Sequence, residues 1–359
     1  MRLRSVGVEE ELLLVDPNGG HALALAGAVL HDGAAHGLAA ELTRQQIETN
    51  TTPCTSLDEV RSELRRWRRI AAQAAQASGA QVAALGTSPL PVAPDITLSS
   101  RYRDIMDMFG ATVEQQLTCG CHIHVEIDSD EEGVAVLDRI RGWLPTLLAL
   151  SGNSPFWQGA DTGYVSFRSQ VWNRWPSAGP TELFGSAAAY RTTVQEMVKS
   201  GAILDAGMIY FDARLSHRHP TLEVRVADVC QHVDDAVLLA GLTRALVETA
   251  AREWGAGQPL APSRVELLRL AAWRAGRSGL DGSLINPAGC PAPGKDVVRG
   301  LLGHLRPALE DFGDYDIVQL LLEAVCERGN GATLQRDVHR RDGSLADVVA
   351  SAVIRTAGS

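Results

Sequence analysis

The sequence predicts an α+β fold in which helices cover one side of an antiparallel β-sheet and the other side stays open. Three short segments, residues 7–11, 122–126 and 223–226, alternate ionisable with apolar residues, which is the period of a strand with one buried face. Helical segments of variable length separate them. Polar-faced strands are typical of antiparallel sheets, because strands of doubly wound parallel sheets are apolar on both faces.

The first segment places two glutamates on one face of its strand. Glu9 and Glu11 share a face, whereas Val8 and Leu12 lie on the opposite face. Glu10 interrupts that apolar face. The segment is therefore a strand whose polar side offers two carboxylates.

The second and third segments add imidazoles, a carboxylate and a cation. His122, His124 and Glu126 face one way along the second strand, and apolar residues alternate with them. Glu223 and Arg225 share the polar face of the third strand. If the strands share one sheet, their polar faces form one open surface, which we call the polar floor. The polar floor comprises Glu9, Glu11, His122, His124, Glu223 and Arg225.

Residues 45–50 are a fourth candidate strand, with Gln46, Glu48 and Asn50 on its polar face and Glu41 near its start. For any single strand, an ordinary solvated face is an alternative explanation. However, Glu and His dominate these segments and lysine is absent from them, whereas exposed faces usually mix Thr, Ser, Lys and Arg. Converging carboxylates repel one another, and a divalent cation with oxygen ligands relieves the repulsion. The pattern therefore predicts a magnesium site.

Helical spacing and turn residues predict the other elements of the N-terminal half. Leu57, Val60 and Leu64 form an apolar stripe, and Ser56 before them is a typical N-cap. In order, we expect a helix at 57–77, a strand at 81–85, a polar connection at 99–109, a strand at 115–127, a helix at 131–150 interrupted at Pro145, and a loop at 153–180. That loop is long and rich in Gly, Pro, Trp and Arg, which is typical of a functional loop.

The C-terminal half is expected to be mainly helical. Asp234 or Asp235 is expected to cap a long helix that ends near Trp254. The other expected elements are a helix at 181–200, a surface loop at 276–295, helices at 296–309 and 314–328, a turn at 329–332 and a last helix from Ser344. Because the sequence contains no internal repeat or linker, we expect one domain over residues 1–359.

Composition excludes several classes of function. The chain has 359 residues and a formal net charge of −10, so a general nucleic-acid surface is not expected. One basic cluster comprises Arg61, Arg65, Arg66, Arg68 and Arg69. Glu59 and Glu63 alternate with it, which is the pattern of a solvated helix face. No signal peptide precedes the first strand and no apolar run reaches the roughly 20 residues of a membrane span. We therefore expect a cytoplasmic protein without a membrane role.

The cysteines suggest zinc at first sight. Cys119 and Cys121 directly precede His122 and His124 along the chain. Strand alternation sends the cysteines to the face opposite the histidines, so these four residues cannot easily surround one zinc ion. Magnesium is therefore favoured over zinc, and the six cysteines are expected to be reduced thiols.

Phosphate-binding loops are absent from the sequence. Residues 293–296 end in Asp296 and do not complete a G-x-x-x-x-G-K-[ST] motif, and residues 329–331 do not complete a dinucleotide fingerprint. A nucleotide would therefore be held through metal ions on the polar floor.

Five ordered motifs resemble the type 2 glutamate–cysteine ligase family, also called carboxylate–amine ligases. They are GVEEEL at 7–12, CGCHIHV at 119–125, SFRSQVW at 166–172, EVRVADV at 223–229 and WRA at 273–275. The match extends from Val6 to about Arg336. The resemblance implies a glutamine-synthetase-like antiparallel sheet wrapped by helices, with an open active-site face that holds ATP and magnesium, or manganese in its place.

The resemblance also implies roles for individual residues. The implied metal ligands are Glu9, Glu11, Glu41, Glu48, His122 and Glu223. Arg168 and Arg225 are the implied catalytic cations, which would meet ATP phosphates or a substrate carboxylate; an ordinary ion pair is the alternative for each. The further implied substrate-binding or ATP-binding residues are His124, Trp172, Asn173 and Arg174.

The implied reaction joins a carboxylate to an amine. The γ-carboxylate of L-glutamate would attack ATP to give an acyl phosphate, and an amine such as L-cysteine would then form the amide. A different donor acid or amine is one alternative. Others are phosphoryl transfer to a nitrogen, a non-catalytic protein that binds nucleotides or amino acids, and a zinc hydrolase that uses His122 and His124. A homodimer is suggested by the resemblance alone.

Overall fold

The computed structural model describes residues 3–31, 37–261 and 263–358, and an antiparallel sheet lies at its centre. In spatial order the strands are β2, β3, β1, β5, β9 and β8, and β4 pairs with the end of β1. They are β1 (Val6–Val15), β2 (Ala39–Ala40), β3 (Gln46–Asn50), β4 (Gln81–Ala83), β5 (Gly120–Glu126), β8 (Ala213–Leu215) and β9 (Thr221–Asp228). Two small hairpins lie outside it, β6 (Phe156–Trp157) with β7 (Ala160–Asp161), and β10 (Ser283–Ile285) with β11 (Pro291–Pro293).

Helices surround this sheet. In the first half of the described chain they are α1 (Ala26–His31), α2 (Leu57–Ala77), α3 (Ser100–Phe109), α4 (Ala111–Glu114), α5 (Asp130–Ile140), α6 (Leu144–Ser151), α7 (Arg168–Trp172) and α8 (Ala187–Lys199). The later ones are α9 (Val233–Gly255), α10 (Val265–Ser278), α11 (Gly294–Phe312), α12 (Tyr315–Arg328), α13 (Gly331–Asp342) and α14 (Leu345–Gly358). No helix among the described residues is both long enough and apolar enough to cross a membrane.

The apolar side of the sheet packs against α2 and α9. Val8, Ile123 and Val224, from three neighbouring strands, are each about 1% exposed. They belong to one core with Leu64 of α2 and Leu239 of α9. Burial of each such side chain contributes roughly 1.5–3 kcal/mol to stability. Helices on this side leave the opposite, polar side of the sheet open, as the sequence predicts.

Glu10 does interrupt the apolar side of the sheet, and a buried arginine compensates for it. Arg68 of α2 donates to both carboxylate oxygens of Glu10, at 2.9 and 2.6 Å. It also donates to the backbone carbonyls of Cys230 and Gln231. The expectation that the basic cluster is a solvated face is wrong for Arg68, which is 1% exposed, because the buried Glu10 requires a cation.

The predicted break at Pro145 is confirmed, but the segment at 99–109 differs from expectation. Pro145 lies in the first turn of α6, which is separate from α5. Residues 99–109 are not a polar connection but helix α3, whose N-cap hydroxyl on Ser99 accepts from the backbone N–H of Tyr102 at 3.1 Å. Tyr102, Ile105, Met106 and Phe109 have helical spacing and pack against the core, so the sequence does contain the periodic signal of this helix.

Three C-terminal expectations are also wrong. The N-cap of α9 is His232, and Asp234 and Asp235 lie in the first turn, where carboxylates favour the positive end of the helix dipole. Residues 276–295 contain the end of α10 and the β10–β11 hairpin instead of a surface loop. The turn at 329–332 starts a further helix, α13, whose N-cap Asn330 accepts from the backbone N–H of Thr333.

The predicted N-cap of α2 is confirmed and supports a first stability prediction. Ser56 Oγ accepts from the backbone N–H of Glu59 at 3.2 Å, and the Glu59 carboxylate accepts in return from the backbone N–H of Ser56 at 3.1 Å. Ser56→Ala is expected to lower the free energy of unfolding by about 1 kcal/mol. Urea unfolding would measure it. Ser56→Asn is the control, because asparagine at an N-cap can accept from the same backbone N–H group; equal losses in both variants would contradict the capping argument.

Candidate active site

An open cleft of about 1120 Å³ lies over the polar side of the sheet. Its lining includes the predicted strand residues Glu9, Glu11, Glu41, Glu48, His122, His124, Glu223 and Arg225. Strand pairing brings them together: Glu9 lies opposite His122, Glu11 opposite Glu48, and His124 opposite Glu223. The period of two along each strand and the antiparallel register therefore produce the predicted polar floor.

The first ligand group comprises Glu9, His124 and Glu223, whose ligand atoms lie within 4.8 Å of one another. The Nε2 of His124 lies 3.1 Å from Oε1 of Glu9. Its Nδ1 lies 2.9 Å from the hydroxyl of Thr221, which fixes the orientation of the ring. Burial would lower the pKa of His124, but Glu9 outweighs this effect and raises it.

His122 lies beside this group. Its Nδ1 is 3.4 Å from Glu9 and 3.9 Å from Glu223. Burial would raise the pKa of Glu9, but hydrogen bonds from His122 and His124 outweigh it and hold that pKa below its usual value. The family resemblance implies that His122 binds metal and that His124 binds a substrate or ATP. The geometry places both imidazoles at Glu9, with His124 in the tighter group.

The second ligand group comprises Glu11, Glu41 and Glu48, and its carboxylate oxygens also lie within 4.8 Å of one another. Glu11 accepts from the backbone N–H of Gly120 at 2.6 Å, and Glu48 accepts from the side chain of Asn50 at 2.8 Å. Burial and the charges of Glu11 and Glu48 raise the pKa of Glu41 well above its usual value. Three carboxylates thus share a space in which they cannot all be charged without a compensating cation.

The donor sets of both groups fit a divalent cation. Carboxylate oxygens predominate, and hard oxygen ligands are those that Mg²⁺ prefers. The Nε2 atom of His122 is buried without a hydrogen bond to any described residue. Cys119 and Cys121 are buried in two apolar cores, and neither belongs to a ligand group among the described residues.

Two arginines compensate for Glu223 at the other side of the cleft. Arg225 forms an ion pair with Oε1 of Glu223, and Arg214 donates to Oε2 at 2.7 Å. Burial would raise the pKa of Glu223, but Arg225 and Arg214 outweigh it and hold that pKa below its usual value. Arg214 lies outside the alternating segments of the sequence, and the structure places it in β8, directly opposite Glu223 in the hairpin with β9.

Arg168 lies beside the polar floor, next to Gly120 at the start of β5, and does not line the cleft. It is 2% exposed, and its guanidinium lies 3.9 Å from the carboxylate of Asp228. It donates at 3.4 Å to the backbone carbonyls of Arg225 and Val226. Asp228 also accepts from the hydroxyl of Ser154 at 2.7 Å, which fixes the loop that carries Arg168. The structure thus places Arg168 as a support for β9.

The other predicted substrate residues divide into two groups. Trp172 lines the cleft, and the guanidinium carbons of Arg168 and Arg225 each lie 5.6 Å from its ring centre. Tyr210 packs on the same ring at 4.9 Å. Asn173 and Arg174 are exposed and do not line the cleft, and Arg174 donates to Gln115 instead. α7 ends at Trp172, and Asn173 and Arg174, which follow it, lie outside the cleft.

Gly120 gives a test of how closely the floor is packed. An ideal Cβ at Gly120 would overlap Nη2 of Arg168 and lie 2.9 Å from Nε2 of His122. Gly120→Ala is expected to destabilise the fold by roughly 1–3 kcal/mol through overpacking and to lower ATP turnover at least about tenfold by displacing His122. Gly300→Ala is the control, because a Cβ there meets no atom within 4 Å. Unchanged turnover and stability in Gly120→Ala would contradict this packing.

Solved structures share this fold at low sequence identity. A glutamate–cysteine ligase from Francisella tularensis in complex with AMP superposes with a TM-score of 0.71 at 13% identity, over 100% of this chain and 90% of that one. A bifunctional glutathione synthetase from Pasteurella multocida gives 0.71 at 16% identity, over 99% of this chain and 52% of that one. The Pup ligase PafA in complex with Pup gives 0.56 at 14% identity, over 94% and 68%. The molecule has the fold of this class of ligases, which confirms the predicted α+β sheet.

Sequence relatives define the family. The profile of glutamate–cysteine ligase family 2 (GCS2) matches residues 5–351. A protein of Streptomyces avermitilis, provisionally named glutamate–cysteine ligase 2-1, is 53% identical over 99% of this chain and 100% of its own. Another, of Streptomyces coelicolor and provisionally named glutamate–cysteine ligase 2, is 53% identical over 99% of each. The chain belongs to glutamate–cysteine ligase family 2 and is an ATP-dependent carbon–nitrogen ligase. The resemblance seen in the five motifs is confirmed.

Proposed function

We propose that this ligase joins the γ-carboxylate of L-glutamate to an amine, with L-cysteine as the first candidate, through an acyl phosphate. One observation carries the proposal: two carboxylate-rich ligand groups and an arginine-paired glutamate lie on one open sheet face, over which a cleft is large enough for several substrates. Membership of glutamate–cysteine ligase family 2 supports the choice of glutamate and cysteine.

The two ligand groups would hold magnesium ions, or manganese in their place. Glu9, His124 and Glu223 supply one group, and Glu11, Glu41 and Glu48 supply the other. Bound there, such ions neutralise the charge of the ATP phosphates. His122, which touches Glu9 and Glu223, would serve as a further ligand or would orient these carboxylates.

The chain's own cations would position the reacting groups. The guanidinium of Arg225 lies at the cleft surface, where it is aimed at negative charge that develops on the transferred phosphoryl group. Glu223 and Trp172 hold this guanidinium in place, and Arg168 donates to the backbone carbonyl of Arg225. Arg168 therefore contributes to catalysis by positioning Arg225, instead of touching ATP itself.

The reaction consists of two displacements. An oxygen of the glutamate γ-carboxylate bonds to the γ-phosphorus of ATP while the bond between that phosphorus and the bridging oxygen of ADP breaks. The amine nitrogen then bonds to the activated carbonyl carbon, the bond from carbon to the phosphate oxygen breaks, and the amine loses a proton. ADP, phosphate and an amide are the products. No covalent bond to the enzyme is needed, so the cysteines have no catalytic role in this scheme.

Mass spectrometry tests the proposal. The purified protein would be incubated with ATP, magnesium, L-glutamate and one of a panel of amines that includes L-cysteine. We expect a γ-glutamyl amide in an amount that matches the phosphate released. ATP hydrolysis without any amide, across the whole panel and with other donor acids, would contradict the proposal.

A further inference from the structure

The turn between β8 and β9 forms part of the cleft wall and is held in shape by one serine. Ser216 Oγ accepts from the backbone N–H groups of Arg218 and His219, at 3.3 and 3.4 Å. The backbone N–H of Ser216 donates to the carbonyl of Thr221 at 2.9 Å. Residues 216–220, which we call the basic turn, all line the cleft. These hydrogen bonds hold the backbone at Arg218.

Contacts with a neighbouring loop strengthen the basic turn. Nε2 of His217 lies 2.8 Å from the carbonyl of Ala206. Nη1 of Arg214, at the base of the same hairpin, donates to the carbonyl of Ile209 at 2.9 Å. Arg101 of α3 forms an ion pair with Asp205 at 3.0 Å on the same loop. Three connected segments thus form this wall of the cleft: α3, the loop at 205–209 and the β8–β9 hairpin. The basic turn lies at the end of the hairpin.

The arginines that line the cleft differ in whether their charge is already balanced. Arg225 and Arg214 pair with Glu223, and Arg101 pairs with Asp205. Arg218 is exposed, and it forms no ion pair with any residue in the described part of the chain. In a protein of net charge −10, this arginine is available for an anionic part of a substrate.

We propose that Arg218 binds the α-carboxylate of an amino-acid substrate, an inference that rests on the proposed ligase function. The planar guanidinium presents paired N–H donors that match a carboxylate. The basic turn directly precedes β9, and the ring of His219 lies 6.4 Å from that of His124, so the basic turn lies next to the first ligand group. His217 and His219 flank Arg218 and line the same part of the cleft. The α-carboxylate belongs either to the donor glutamate or to the acceptor amino acid.

Matched substrates with and without that carboxylate test the inference. Arg218→Gln would be compared with wild type and with Arg103→Gln, which alters an exposed arginine of α3 outside the cleft lining. The acceptor arm uses L-cysteine against cysteamine, and the donor arm uses L-glutamate against 4-aminobutyrate; each second compound lacks the α-carboxylate. In Arg218→Gln we expect the KM for either L-cysteine or L-glutamate to rise roughly tenfold to hundredfold. The KM for the compound of the same arm that lacks the α-carboxylate, and the KM for ATP, are expected to stay unchanged.

The arm that responds identifies which amino acid Arg218 holds. Equal KM values in wild type and Arg218→Gln for both arms would overturn the inference, as would a rise for ATP alone. Calorimetric titration of L-glutamate and of L-cysteine into both proteins separates this result from failure of the ligase proposal. Weaker binding of one amino acid to Arg218→Gln supports the inference even without amide formation. Equal binding to both proteins, or no binding to wild type, overturns it.

Discussion

Glu9→Gln is expected to lower magnesium-dependent ATP turnover by roughly 10²–10³-fold while the protein stays folded. Glu9 is the residue that touches both imidazoles of the polar floor, and it also belongs to the first ligand group. The amide keeps the size of the side chain but removes the charge that would attract a cation. Steady-state turnover measured against magnesium concentration would show the loss together with a higher magnesium requirement.

Glu126→Gln is the matched control for this experiment. Glu126 also lines the cleft, but its carboxylate accepts from the backbone N–H and hydroxyl of Ser5, both at 3.1 Å. We expect its turnover to stay within about twofold of wild type, since ordinary changes away from the reacting groups have small effects. If Glu9→Gln folds normally and keeps full magnesium-dependent turnover, Glu9 is not a metal ligand.

Arg68→Met is expected to lower the free energy of unfolding by about 3–5 kcal/mol, which is the largest stability effect predicted here. The variant leaves the Glu10 carboxylate, which is 0% exposed, without its cation. The carbonyls of Cys230 and Gln231 also lose their donor. A single buried charge without a partner is far more costly than the intact pair. Equilibrium unfolding in urea would measure the difference.

Two further variants distinguish a lost charge from lost packing. In Glu10→Leu combined with Arg68→Met, no buried charge remains, so we expect at least about half of the lost stability to return. Arg69→Met changes the neighbouring exposed arginine of α2 and is expected to shift stability by less than about 0.5 kcal/mol. If the double variant is no more stable than Arg68→Met, the charge argument is wrong.

The polar floor could be predicted from sequence because the direction of a strand side chain depends only on its own strand. Glu9, Glu11, His122, His124 and Glu223 follow the period of two, and the structure brings all of them to one cleft. The period of two does not predict which of these side chains lie next to one another on the floor. The antiparallel register decides that Glu9 lies opposite His122, and no sequence pattern of one strand contains that register.

Residues outside the alternating strands were harder to place. Arg214 belongs to a strand of three residues, too short for a periodic signal, and its partner Glu223 is on another strand. The role of Arg168 toward substrates stays a prediction, since the structure buries this side chain next to Asp228, which also accepts from Ser154 and Ser166. Burial of a loop side chain depends on distant contacts, which periodicity does not report. Helix α3 was predictable, because Tyr102, Ile105, Met106 and Phe109 have helical spacing behind the N-cap Ser99.

The fate of the oxygen atoms of glutamate tests the central claim most directly, namely that a substrate carboxylate is phosphorylated on this floor. L-Glutamate labelled with ¹⁸O in its γ-carboxylate would be incubated with the enzyme, magnesium, ATP and the acceptor amine, and the released phosphate would be analysed by mass spectrometry. An acyl phosphate predicts that phosphate carries one labelled oxygen for each amide formed. Amide formation with unlabelled phosphate would contradict the account, because it would mean that the carboxylate never attacked ATP.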